Sequence, residues 1–225
     1  MTRAWRSGGN WGDLRGIAVS LNNVGIVASN QGDYVAARPL LAESLALDRE
    51  LGYRFGIATS LNNLGNVALK QGDYPSARAL FEESLALRRE LGDRWGIANS
   101  LNNLGNVAHE QGDYPSARAL HGESLARQLE LGNRRGIAES LEGMAPVASA
   151  LGNPDRAARI WCAAERLREE FGAPLPPNER PRYEEQVATA RAALNDNAAF
   201  AAAWQEGRAL TLEQAIALAL QEPDS

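Results

Sequence analysis

The forty residues from Gly56 to Trp95, GIATSLNNLGNVALKQGDYPSARALFEESLALRRELGDRW, are followed by a second forty, Gly96 to Arg135, identical at thirty positions. The frame extends backward over residues 16–55 and forward, more worn, over residues 136–172, so that Gly16, Gly56, Gly96 and Gly136 mark one period. A period of this length means a stacked array in which each unit buries its apolar face against its neighbours.

Each unit reads as two helices with their punctuation. Asp93 and Asn133 are suited to N-capping the helices that follow them, and Gly72 and Gly112 stand where a left-handed C-terminal residue is wanted. The first helix of a unit, helix A, is expected over about 54–71. Asp73 then caps helix B, with Pro75 in its first turn, and Gly92 closes it. On helix A, Ile57, Leu61, Leu64 and Ala68 follow helical spacing and form the expected core stripe, with Gly65 at its edge for close approach to Ala77.

The recurring Leu64-Gly65, Gly72, Tyr74, Ala77 and Phe81 resembles the tetratricopeptide repeat. Val24-Gly25, Gly32, Tyr34, Ala37, Leu41 and Leu104-Gly105, Gly112, Tyr114, Ala117, His121 carry the same resemblance. In the fourth copy Met144-Ala145 replaces the Leu-Gly pair and Pro154 the tyrosine, while Gly152, Ala157 and Trp161 keep the frame. A forty-residue unit is similar to the long-helix variety found in kinesin light chains, cell-polarity adaptors and large bacterial signalling ATPases. The resemblance implies an all-α fold: a right-handed superhelix of antiparallel hairpins, helix A lining a concave face and helix B the outside. It implies a non-enzymatic scaffold that holds a peptide or partner protein.

Polar residues on helix A point to the same surface. Asn22, Asn23, Asn62, Asn63, Asn66, Asn102, Asn103 and Asn106 stand in mid-helix, where asparagine is about 0.5 kcal/mol poorer than alanine. A side-chain amide both donates and accepts, so a row of amides can pair with the backbone of an extended segment whatever its side chains. The candidate ligand-binding residues are therefore Asn22, Thr59, Asn62, Asn66, Lys70, Asn99, Asn102, Asn106 and His109. The competing reading is that the asparagines bond between helices and set the stacking, a role expected above all for Asn63 and its equivalents. The row ends in the fourth unit, where Glu139 and Glu142 give an acidic rim to the candidate groove and Pro146 is expected to kink the helix.

Catalytic and phosphate-binding signatures were sought without result: GxxxxGK[ST], GxSxG, HExxH and paired-cysteine spacings do not occur. No cofactor or metal is expected. A net charge of -5 disfavours a nucleic-acid partner. The lone Cys162 and the packed position of His121 read as structural. With no apolar run of membrane-spanning length and no signal-peptide core, a cytoplasmic protein is expected. Arginine in place of lysine, with abundant alanine, fits a GC-rich bacterial origin.

Three segments follow: residues 1–15 as the end of an upstream repeat, 16–172 as four repeats (16–55, 56–95, 96–135, 136–172), and 173–225 as a helical cap. Trp5 and Trp11 are expected near an exposed N-terminal edge suited to self-association. In the tail, Asn178 is expected to cap a helix reaching about Leu194. A short helix over 198–206 follows, and Thr211 with Gln214 forms a capping box for a last helix. The wording APLPPNERPRYEEQVATARAAL is similar to the C-terminal end of large bacterial regulators with an upstream ATPase module. That resemblance carries no activity onto this chain. Two further readings stay open: a small-molecule sensor arm of a transcriptional regulator, and a self-assembly element.

Overall fold

Two series of glycines, each spaced by forty residues, follow the helix ends. Gly32, Gly72, Gly112 and Gly152, and likewise Gly52, Gly92, Gly132 and Gly172, have φ between +62° and +87°, a left-handed conformation that glycine alone adopts without cost. In the computed structural model, which describes residues 11–176 and 178–221, these turns separate helices of nearly uniform length. They are α1 (Trp11–Asn30), α2 (Tyr34–Glu50), α3 (Arg54–Lys70), α4 (Tyr74–Leu91), α5 (Arg94–Glu110), α6 (Tyr114–Glu130), α7 (Arg134–Ala150) and α8 (Pro154–Glu170). Three more, α9 (Arg180–Leu194), α10 (Asn197–Ala209) and α11 (Leu212–Leu220), complete the chain. No strand occurs among the described residues. Trp5 and the side chain of Trp11 lie outside them; Gly12, in frame with Gly52, falls within α1.

Local chemistry explains the helix starts. Asp33, Asp73 and Asp113 each accept a hydrogen bond from the backbone N–H three residues on, and Asp93 and Asn133 do the same for Gly96 and Gly136. The Thr211–Gln214 capping box is complete, with Thr211 N–H donating to Gln214 Oε1 at 2.8 Å and Gln214 N–H to Thr211 Oγ1 at 3.2 Å. The start of α9 differs from expectation. Asn178 is not its cap; the helix begins at Arg180 with Pro181 in its first turn and no side-chain cap. Pro146 does not break α7, which runs through it as one helix with the proline buried.

The chain forms two units, Met1–Gly92 and Asp93–Ser225. In the first, α2 packs on α1 and on α3, and α4 on α3. Ala37, Leu41 and Val67 form a buried cluster with Tyr34 and Leu64 against it. The buried side of α3 is wider than the expected stripe. Ala58, Ser60, Leu61, Gly65, Val67 and Ala68 are buried, whereas Ile57 and Leu64 are only half-buried. What a Cβ on Gly65 would meet first is the Phe81 ring, at 2.6 Å. Gly25 meets Leu41 in the same way.

The second unit repeats the hairpin twice, α5–α6 and α7–α8, and then lays α9, α10 and α11 on α8. Its core joins Leu141, Met144, Ile160, Trp161, Leu167, Phe200 and Ala219. Close approach decides the seat of α10, because a Cβ on Gly207 would stand 2.4 Å from the Arg159 carbonyl oxygen. Arg156 fixes the far end by donating to the carbonyl oxygens of Leu218 and Ala219 at 2.8 and 3.1 Å. The tail is thus a helical cap over the last hairpin.

Both units use one polar bond inside the hairpin. Ser44, Ser84 and Ser124, fully buried on the B helices, donate to the carbonyl oxygens of Ala18, Ala58 and Ala98 at 2.8, 2.8 and 2.9 Å. Ser44 also meets Ser60, and Ser124 meets Ser140, each at 3.1 Å. Satisfied in this way, a buried hydroxyl avoids the desolvation penalty that an orphan would incur.

Candidate functional site

Asparagines of the A helices do not share one environment. In the first unit Asn63 Nδ2 donates to Asn22 Oδ1 at 2.9 Å, so this pair links α3 to α1. Thr59 donates to the Phe55 carbonyl of its own helix at 3.0 Å. Asn62 and Lys70 also take part in intramolecular interactions. Asn66 is half-buried and makes no side-chain hydrogen bond among the described residues.

The second unit sorts its asparagines the same way. Asn99 Oδ1 accepts from Gln128 Nε2 at 3.1 Å, and Gln128 Oε1 accepts from Asn133 Nδ2 at 2.8 Å. Asn102 Oδ1 accepts from His121 Nδ1 at 2.9 Å. Asn106, the counterpart of Asn66, is again half-buried and makes no side-chain hydrogen bond among the described residues. His109, one turn on, is 19% exposed; its Nδ1 lies 3.5 Å from Glu110 Oε1 and its ring centroid 5.7 Å from that of Tyr114. Glu110 in turn takes Arg182, from α9.

His121 occupies the place of Leu41, Phe81 and Trp161 in the repeat frame and is fully buried. Its Nε2 has no partner. Burial first, then the neighbouring His109 and Arg182, push the imidazole down to about 3, so it is neutral, with its proton on Nδ1 facing Asn102. A Cβ on Gly105 or Gly143 would overlap its ring, at 2.8 and 2.3 Å. Cys162 is buried, and burial, with Glu165 adding to it, pushes its thiol up to about 11. Such a thiol is no nucleophile at neutral pH.

The two glutamates of the expected acidic rim are committed. Glu139 takes Arg135 of its own helix at 2.8 Å. Glu142 is 14% exposed and forms a two-pronged pair with Arg168, one prong at 2.7 Å. Burial opposes both charges and the pairing offsets it; the Arg168 guanidinium is held above its ordinary value, while the Glu142 carboxyl stays raised. With α9 packed against α7, the asparagine positions of the earlier helices become Glu142, Gly143 and Pro146, the last two buried. The row of amides therefore ends where a helix covers it.

Sequence reasoning missed Arg182. Its partner Glu110 lies 72 residues upstream, beyond the reach of any periodicity. The described residues contain no cluster of His, Cys, Asp and Glu arranged for a metal ion, and none of their helices is long and apolar enough to cross a membrane.

Consecutive helix hairpins with half-buried amides at a fixed register define a helical-repeat protein. Residues 16–90 and 96–170 match the tetratricopeptide repeat, and the chain belongs to that family. Such repeats as a class mediate protein–protein interaction, and their members are typically non-enzymatic scaffolds. Among solved structures, BtubC (BKLC) from P. vanneervenii is similar at a TM-score of 0.66, with 16% identity over 94% of this chain and 85% of that one. The nearly identical TPR-like repeats of a kinesin-light-chain-like protein from Podosopora anserina give 0.60 and 16% identity, over 85% of this chain and 93% of that one. At such identities the likeness is one of fold. No protein of curated function matches the chain in sequence.

Proposed function

We propose that this chain is a non-enzymatic scaffold whose A-helix faces bind peptide or protein segments, Asn66 in the first unit and Asn106 in the second each making main-chain contacts. One observation carries the reading. These two amides, forty residues apart in register, are half-buried and make no side-chain hydrogen bond among the described residues, while Asn22, Asn63, Asn99 and Asn102 are bonded within the fold. A mid-helix amide that costs helix stability and bonds to nothing inside has its use outside. Thr59, Lys70 and His109 flank the two amides on the same helices, and Arg182 with Glu110 bounds the second unit's face. Replacing Asn66 and Asn106 by alanine tests it: partner retention in a pull-down should fall while helicity and melting temperature hold or rise. Partners retained equally by both forms overturn the reading.

A setting in the bacterial cytoplasm, as part of a signalling or transcriptional regulator, belongs to the same proposal and is supported by the wording of the tail. A second reading, self-association, has its own observation. Val24 and Val27 on α1 are each 55% exposed, whereas Val67, Val107 and Val147, in register with Val27, are all buried. An apolar face of this kind invites a partner. Light scattering on Val24→Glu/Val27→Glu beside the native chain decides: a mass that falls with the substitutions supports assembly, and an unchanged monomer mass rejects it.

A further inference from the structure

An open-sided cavity of about 770 Å³ lies within the second unit, between α8, the turn after it, α9 and α10. That volume is within the ordinary range for small-ligand sites. Pro174, Leu175, Val187, Ala188 and Trp204 supply an apolar wall, and Glu165, Arg168, Glu169, Arg180, Tyr183, Glu184 and Arg191 the polar one.

The charges of this wall are unequally committed. Arg168 is taken by Glu142, and Glu169 by Arg208 at 2.8 Å. Arg191 lies over the Phe200 ring, 4.8 Å from its centroid. Glu165 is half-buried and makes no hydrogen bond or ion pair among the described residues. Tyr183, edge-on to Trp161, keeps its hydroxyl buried and unpartnered. Glu165 thus offers a carboxylate with hydrogen-bonding capacity to spare near an orphan hydroxyl and an apolar wall, the Arg208 charge acting on it only at a distance.

We infer that this cavity binds a small amphiphilic cation, a primary ammonium on an aromatic or branched apolar body, with Glu165 accepting from the ammonium and Val187, Leu175 and Trp204 enclosing the body. Burial raises the Glu165 carboxyl above its ordinary value, with the Glu169 charge adding to it and the Arg208 charge opposing it. An anion fits poorly, since two of the three arginines are already engaged and Glu165 and Glu184 would repel it. The site does not depend on the A-helix faces: it lies in the cap, and its occupant is a small molecule rather than a chain segment.

Phenethylamine, 2-phenylethanol and phenylacetate serve as cationic, neutral and anionic probes, titrated by calorimetry into the full chain. Saturable binding of phenethylamine is expected, weakened about tenfold or more in Glu165→Gln and abolished in Ala188→Trp, which fills the cavity without touching a charge. Phenylacetate or phenylethanol binding as well as phenethylamine would overturn the inference. So would phenethylamine binding that both variants leave unchanged, or the absence of saturation in the native chain. Should Glu165→Gln fail to give the native circular-dichroism spectrum, Ala188→Trp decides alone.

Discussion

His121 and Asn102 illustrate how a single position can serve packing at a cost. The imidazole gives one proton to Asn102 and leaves Nε2 unpaired inside the core. Leucine fills the same place at Leu41, so His121→Leu should raise stability by about 1 kcal/mol at pH 7, the cost of an orphaned acceptor being of that order. Asn102→Ala should do the reverse and cost about 1–2 kcal/mol, because it strips the buried Nδ1–H of its acceptor. Acid amplifies the contrast. The unfolded imidazole takes a proton below about 6.5 and the folded one only near 3, so between these values the unfolded state binds more protons and stability falls as pH falls. The native chain should lose on the order of 3 kcal/mol more than His121→Leu between pH 7 and pH 4 in urea titrations. Equal losses would contradict a buried neutral histidine. That His121 is packed could be read from its register with Leu41, Phe81 and Trp161; its bond to Asn102 could not, since 19 residues separate the two and the asparagine reads as a ligand contact from helical spacing alone.

Glycine fixes the elements in two different ways, and substitution separates them. A Cβ on Gly207 meets the backbone of Arg159, which cannot yield as a side-chain tip can, so Gly207→Ala should cost about 2 kcal/mol or more and release α10 from α8. Gly16 lies on α1 with nothing within 4 Å of its would-be Cβ, and Gly16→Ala should gain up to about 1 kcal/mol from helix propensity. Thermal melts with amide exchange on α10 check both; two variants of equal effect would contradict the assigned contacts. Helix caps such as Asp73 and Thr211 were legible because the bond closes within three residues. Core faces were legible only in part. Ser60 reads as solvent-facing from its type, yet it is buried, because Ser44 and Asp48 come to it from another helix at 3.1 and 3.3 Å. In the tail the helices were legible but not their docking, which rests on close backbone approach and on Arg156 reaching carbonyls more than sixty residues away.

At the scale of the molecule, each unit applies one hairpin design: glycine-ended helices, a serine-to-carbonyl bond 26 residues long and a large B-helix side chain seated on an A-helix glycine. Duplication alone would carry every asparagine along equally, but the fold uses them unequally: Asn22, Asn63, Asn99 and Asn102 bond within it, whereas Asn66 and Asn106 make no side-chain hydrogen bond among the described residues. In the fourth repeat, where α9 packs against α7, the amides are gone. The most direct measurement is photo-crosslinking with a benzophenone amino acid placed singly at Asn66 and Asn106, with the exposed outer positions Glu82 and Glu123 as controls. The account predicts partner crosslinks from 66 and from 106, and little from 82 or 123. Crosslinks confined to the outer positions, or partners unchanged by the site of the probe, would contradict it.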